Sequence, residues 1–132
     1  MHGGYYRPMY YHSLAGGVDA DGNPLVWSHH VVGQSIVAGT PFESVIVKNG
    51  IDGTSVEGLD DIPYAIPNLS VEYHPAKVGV PVLWWRSVGH SHNAFVKESF
   101  IDELAVLGDA RDRVIDPAPQ AATLRRHVDE RD

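Results

Sequence analysis

The residues best suited to chemistry in this chain are its eight histidines, and four of them fall in close pairs, His29–His30 and His90–His92. A His-x-His pair on a strand turns both imidazoles to one face, as at the start of some oxygenase and cupin metal sites. A third ligand must complete such a site. His74 and Glu98 are the candidates, and no spacing selects between them. Surface or capping histidines are the plainer reading, so no metal ligand is assigned. A Ser-His-Asp arrangement fails earlier: Ser35 in GQSIV and Ser87 in RSVGH lack the G-x-S-x-G elbow. There is no GxGxxG or P-loop pattern, and Gly3-Gly4 and Gly16-Gly17 read as turn glycines. With no cysteine, the chain has no disulfide, thiolate metal site or thiol nucleophile.

A more specific constellation is Trp84-Trp85-Arg86 followed by Ser87-Val88-Gly89, directly before a helical pattern. A helix start presents free N–H groups and the positive end of the helix dipole, which suits an anionic cofactor. Arg86 adds a planar donor fork fitted to phosphate or a carbonyl edge. The competing reading has both tryptophans in the core with the arginine stacked on one of them. The residues alone leave these two readings balanced.

The elements that must position these residues are legible in outline. Residues 5–14 are aromatic and read as extended, with Pro8 at an edge. DADGNP at 19–24 is a dense turn signal, so the flanking runs predict a hairpin with arms near 8–18 and 25–37. Gly33 marks a bulge or a close backbone approach. Residues 44–48 fit a short strand or a first helical turn, and 49–68 read as a long irregular stretch. Residues 69–74 alternate as a strand does, and 80–86 read as a strand entering a buried region. The clearest helix covers about 91–107, where Val96, Phe100, Ile101, Leu104 and Leu107 form an apolar stripe. Ser91 or Asn93 would cap its start, and Gly108 would end it. A second, poorly apolar helix or a disordered stretch is expected from Pro117 to Glu130.

The run PVLWWRSVGHSHNAFVKESFIDELA resembles a segment of the molybdenum hydroxylase large subunits, the xanthine oxidase and aldehyde oxidoreductase family. Its Trp-Arg-Ser-Val-Gly is closest to the branch of isoquinoline 1-oxidoreductase beta subunits and related aldehyde dehydrogenase large subunits. HGGYYRPMYYHSLAGGVDADGNPLVWSHHVVGQSIVAGTPFE and GIDGTSVEGLDDIPYAIPNL resemble the same branch, in the same order. The resemblance spans about residues 2–107. It implies a molybdopterin cofactor, as molybdopterin cytosine dinucleotide, and hydroxylation of N-heterocycles or oxidation of aldehydes. It puts Trp85, Arg86, Ser87 and Gly89 at the cofactor, and Trp84 and Val88 at the substrate pocket. Val88 falls where many relatives place a phenylalanine against an aromatic substrate. Gly33-Gln34-Ser35 and Tyr64-Ala65-Ile66-Pro67-Asn68 match motifs of mainly structural role. Family subunits are several times longer. Neither their Gly-rich cofactor loop nor the segment with the catalytic glutamate, the general base, is matched here. After Leu107 the likeness fades to Asp116-Pro117 and Leu124-Arg125-Arg126.

The expected fold class is α+β: β-hairpins and a small mixed sheet packed with one helix, as residues 1–108 of a partial molybdopterin-binding domain, followed by a diverged polar tail at 109–132. The expected function is that of a fragment of the catalytic subunit, inactive alone and retaining no cofactor alone. Its implied partners are the remainder of the large subunit and an iron–sulfur small subunit. The alternatives are a homo-oligomeric binding module derived from that domain, and a histidine metal protein. A net charge of −7 and no basic run speak against nucleic acid. No apolar run approaches about 18 residues, so no membrane span is expected. With no signal peptide visible, the default location is the cytoplasm; a periplasmic setting stays open for a full-length relative.

Overall fold

The computed structural model describes residues 4–108. The expected helix or disorder at 109–132 lies outside the described residues. Strands β1 (Tyr10–Val18) and β2 (Pro24–Gly33) form the expected hairpin. Their turn is built as the composition predicts. The Asp19 carboxylate accepts the backbone N–H groups of Asp21 and Asn23, each at 2.9 Å, and Gly22 takes φ +82°. The arms are shorter than expected, because the chain leaves the sheet after Gly33. Gly33 is a close-approach glycine: a Cβ there would lie 2.1 Å from the Tyr10 ring. The one register shift in the hairpin comes at Gly17/Val18 instead.

Strand β5 (Asn68–Pro75) adds to β2 in parallel, giving a mixed sheet of order β1-β2-β5. Between them run a short helix α1 (Glu43–Ile46), strands β3 (Val47–Lys48) and β4 (Ile51–Asp52), and a 3-10 turn at Gly53–Ser55. The stretch that reads as irregular loop thus contributes to the core. Ile51, Val56, Leu59, Ile62 and Ile66 are all buried in one cluster with Trp27, Val31, Leu69, Val71 and Tyr73.

Helix α2 (His90–Leu107) lies against the inner sheet face through Ile101 and Leu104, and Phe100 meets Trp27 edge-on at 4.8 Å. Leu107, expected in the apolar stripe, is 64% exposed. Gly108 ends the helix and donates to the Leu104 carbonyl. The cap expectation is corrected. Gly89 holds the cap position with no side-chain cap bond. The Ser91 hydroxyl turns back to the Val88 carbonyl at 2.8 Å, and Asn93 is fully buried.

Residues 80–86 are corrected too. They make only one bridge, Tyr6 to Val82, and both following tryptophans are half exposed, Trp84 at 48% and Trp85 at 51%. No helix among the described residues is long and apolar enough to cross a membrane.

Candidate functional site

The start of α2 is built on backbone geometry. Residues Arg86–Gly89 form a turn in which Ser87 (φ +71°) and Val88 (φ +39°) both adopt left-handed backbone. A β-branched residue there is strained, and such strain concentrates at functional turns. Gly89 closes the turn. A side chain at this position would put Cβ 2.2 Å from the Thr54 carbonyl oxygen, so only glycine lets the helix start seat on the 3-10 turn. Asn93 fastens the same junction by donating to the Ser55 carbonyl at 3.1 Å and the Glu57 carbonyl at 3.0 Å.

The anion expected at this helix start is supplied by the chain itself. The Gly89 N–H donates to the Glu57 carboxylate at 3.0 Å, where the helix dipole favours negative charge. Gly89 is buried, while Arg86 and Ser87 are exposed and do not line the adjoining cleft. Trp84, Trp85 and Val88 do line that cleft, together with Arg7, Tyr10 and His92. Of the residues assigned to cofactor and substrate, the structure therefore gathers Trp84, Trp85, Val88 and Gly89, but neither Arg86 nor Ser87.

Sequence reasoning missed Arg7 and Tyr10, and weighed His92 only as half of a metal-binding pair. The Arg7 guanidinium lies 5.8 Å from the Trp85 ring centroid and donates to the Ser91 hydroxyl at 2.6 Å. It takes the stacking role expected of Arg86. No local spacing reveals it, because the N-terminal segment is brought to the loop by long-range pairing: the Tyr6 N–H donates to the Pro81 carbonyl and the Tyr6 carbonyl accepts from the Leu83 N–H.

Behind the cleft runs a chain of three imidazoles. His12 Nδ1 lies 2.9 Å from His29 Nε2, and His12 Nε2 lies 3.0 Å from His92 Nδ1. Tyr10 stacks on His92 with ring centroids 3.6 Å apart. His29 is fully buried because β2 alternates, turning Trp27, His29 and Val31 to the same inner face. Burial, then the neighbouring imidazoles, push His29 down to about 3 and His92 to about 4; burial also lowers His12. All three rings are thus neutral near pH 7. Three neutral rings carry three protons, and the two hydrogen bonds use one each. The third proton therefore sits at one end of the chain, on His29 Nδ1 or His92 Nε2. Both atoms are buried without a hydrogen-bond partner among the described residues.

The histidine pairs behave differently from the sequence expectation. His90 and His92 open a helix rather than lie on a strand, so two-residue spacing turns them to different sides. His92 enters the imidazole chain, while His90 reaches over Gly58, where an added Cβ would lie 2.8 Å from its Nδ1. His29 and His30 face opposite sides of the sheet, one buried and one half-exposed. Glu98 meets Tyr64, whose hydroxyl donates to it. That hydrogen bond, with burial second, pushes the phenol up to about 12. Buried Gln34 donates to the Val78 and Val80 carbonyls, and Ser35 donates to the buried Asp52 carboxylate at 2.6 Å.

No protein-family model, curated protein or solved structure matches this chain.

Proposed function

We propose that this chain is part of the molybdopterin-binding catalytic subunit of an oxidoreductase that hydroxylates N-heterocycles or oxidises aldehydes, and that it is inactive alone. The observation that carries the reading is the strained Arg86–Gly89 turn, which falls on the Trp-Arg-Ser-Val-Gly motif and borders a cleft with two half-exposed tryptophans. Left-handed Ser87 and Val88 are retained at some cost, as in turns that aim backbone groups at a ligand. Trp84 and Trp85 offer flat apolar faces, and Arg7 offers a planar donor. These residues fit one edge of a large planar anionic group such as a pterin, not the whole of it. When bound, that group would supply the two-electron oxidation chemistry. This chain would contribute contact, orientation and exclusion of water on one side. The general-base glutamate and most cofactor ligands belong to segments not matched here. The Glu57 carboxylate at the helix start keeps phosphate away from that point, so contact is expected through the Trp84–Trp85 side of the turn.

The test is molybdenum and pterin analysis, with assays on an aldehyde and an N-heterocycle. The chain alone should hold no molybdenum and turn nothing over. Co-expression with segments carrying the Gly-rich loop and the glutamate should restore both. Stoichiometric cofactor and turnover from the chain alone would overturn the inactive-fragment reading. A reconstituted assembly that never acquires molybdenum would overturn the family.

A further inference from the structure

The outer face of the sheet carries a second set of side chains, unrelated to the cleft. Residues alternate along β2 and β5, so Trp27, His29, Val31, Leu69, Val71 and Tyr73 face inward, and His30, Glu72 and His74 face outward. The parallel register pairs His30 with Glu72 and Val32 with His74, setting the three outward side chains side by side. His30 Nδ1 lies 3.2 Å from Glu72 Oε2, and His74 Nε2 lies 3.8 Å from the same oxygen. The two imidazole planes are within 5° of parallel. One ligand atom from each residue falls within 4.8 Å of the other two.

We propose that His30, Glu72 and His74 form a binding site for a divalent transition-metal cation, with zinc the first candidate. Zinc sits about 2.0–2.2 Å from imidazole nitrogen and carboxylate oxygen, so tetrahedral ligand atoms are roughly 3.3–3.5 Å apart. The two imidazole–carboxylate separations bracket that edge length and the third edge is no more than 4.8 Å, so the side chains need only draw together to admit the ion. Two imidazoles and a carboxylate suit zinc, copper, nickel or ferrous iron far better than calcium or magnesium. Three protein ligands leave a fourth position open to water or to an exogenous ligand. The strands hold the backbone rigidly, while the side chains, 44% and 46% exposed for the histidines and 27% for Glu72, remain reachable from solvent. Among the described residues this is the group of His, Asp and Glu side chains whose ligand atoms converge in this way. The inner histidines engage each other instead.

The experiment is titration of the full chain with Zn²⁺ by calorimetry, with far-UV circular dichroism confirming the fold of each variant. One Zn²⁺ per chain is expected. His30→Ala, His74→Ala and Glu72→Gln should each weaken binding by at least about tenfold, and His90→Ala should leave it unchanged. Paramagnetic Cu²⁺ added to the unaltered chain reads the location without any substitution. Amide signals of residues 30–32 and 72–74 should broaden first, ahead of Leu104. Unchanged affinity in both His30→Ala and His74→Ala, or first broadening at the N-terminal His2 or at His90, would overturn the site. So would the absence of saturable binding. None of these outcomes bears on the cleft or its cofactor.

Discussion

At the scale of single residues, His29 is the most consequential side chain. Its ring is held neutral by burial, with a pKa of about 3 against an ordinary value of 6.5, and His92 follows at about 4. The unfolded chain binds protons on these rings at a pH where the fold does not. Stability is therefore full above pH 6.5 and falls as the pH drops from 6.5 toward 4. The loss should be on the order of 3–5 kcal/mol across that window, at about 1.4 kcal/mol per unit of pKa shift and discounted for coupling among the rings. Urea unfolding midpoints at stepped pH read it directly, and a midpoint flat from pH 7 to 4.5 would refute it. Ser87 makes a second prediction. Its side chain is exposed and its φ is +71°, so Ser87→Gly removes strain without removing packing. We expect a gain of roughly 0.5–1 kcal/mol in thermal or urea unfolding. If the proposed function holds, the same substitution should loosen cofactor retention in the reconstituted assembly.

At the scale of elements, α2 separates what periodicity can say from what it cannot. A stripe at three- and four-residue steps includes both Leu104 and Leu107, yet one is 3% exposed and the other 64%. Leu104→Ala should cost about 2–4 kcal/mol, and Leu107→Ala under about 0.5 kcal/mol, by chemical denaturation. Gly89→Ala should cost more than helix propensity predicts, because its Cβ would strike the Thr54 carbonyl. The hairpin, β5 and α2 were readable because their signals are local: a DADGNP turn, alternation at 69–74, and a helical stripe. The parallel pairing of β2 with β5 was not. Its register depends on contacts between residues some forty positions apart, which no local pattern encodes. For the same reason, the outward set of His30, Glu72 and His74 could not be assembled from spacing, although the alternation that buries His29 does place His30 on the other face. Arg7 was hidden likewise, since it reaches Trp85 only once the Tyr6–Val82 bridge is formed.

At the scale of the whole molecule, the described surface exposes several large apolar side chains. Trp84, Trp85, Phe95, Tyr11, Phe42 and Met9 are all at least half exposed or nearly so, and the sheet has edge strands at β1 and β5. Acrylamide should quench Trp84 and Trp85 readily and Trp27 scarcely, leaving about one-third of the fluorescence protected; Trp27 is 1% exposed. The subunit remainder proposed above would shield the first two, so reassembly should lower the quenchable fraction. If instead the chain's own copies cover this surface, protection should rise with chain concentration and light scattering should report a mass above 14.5 kDa. The parallel strand pair has one more consequence, in the order of folding. The β1–β2 hairpin closes over the five-residue turn at 19–23 and can form early, within about microseconds. Strand β5 must wait for the whole Gln34–Pro67 crossover to be gathered, an entropic delay that local propensity cannot shorten. The cleft loop and both histidine clusters draw on elements from either side of that crossover. A half-folded chain therefore carries an intact hairpin but none of its sites, and a cation held between β2 and β5 would act as a latch on the last event.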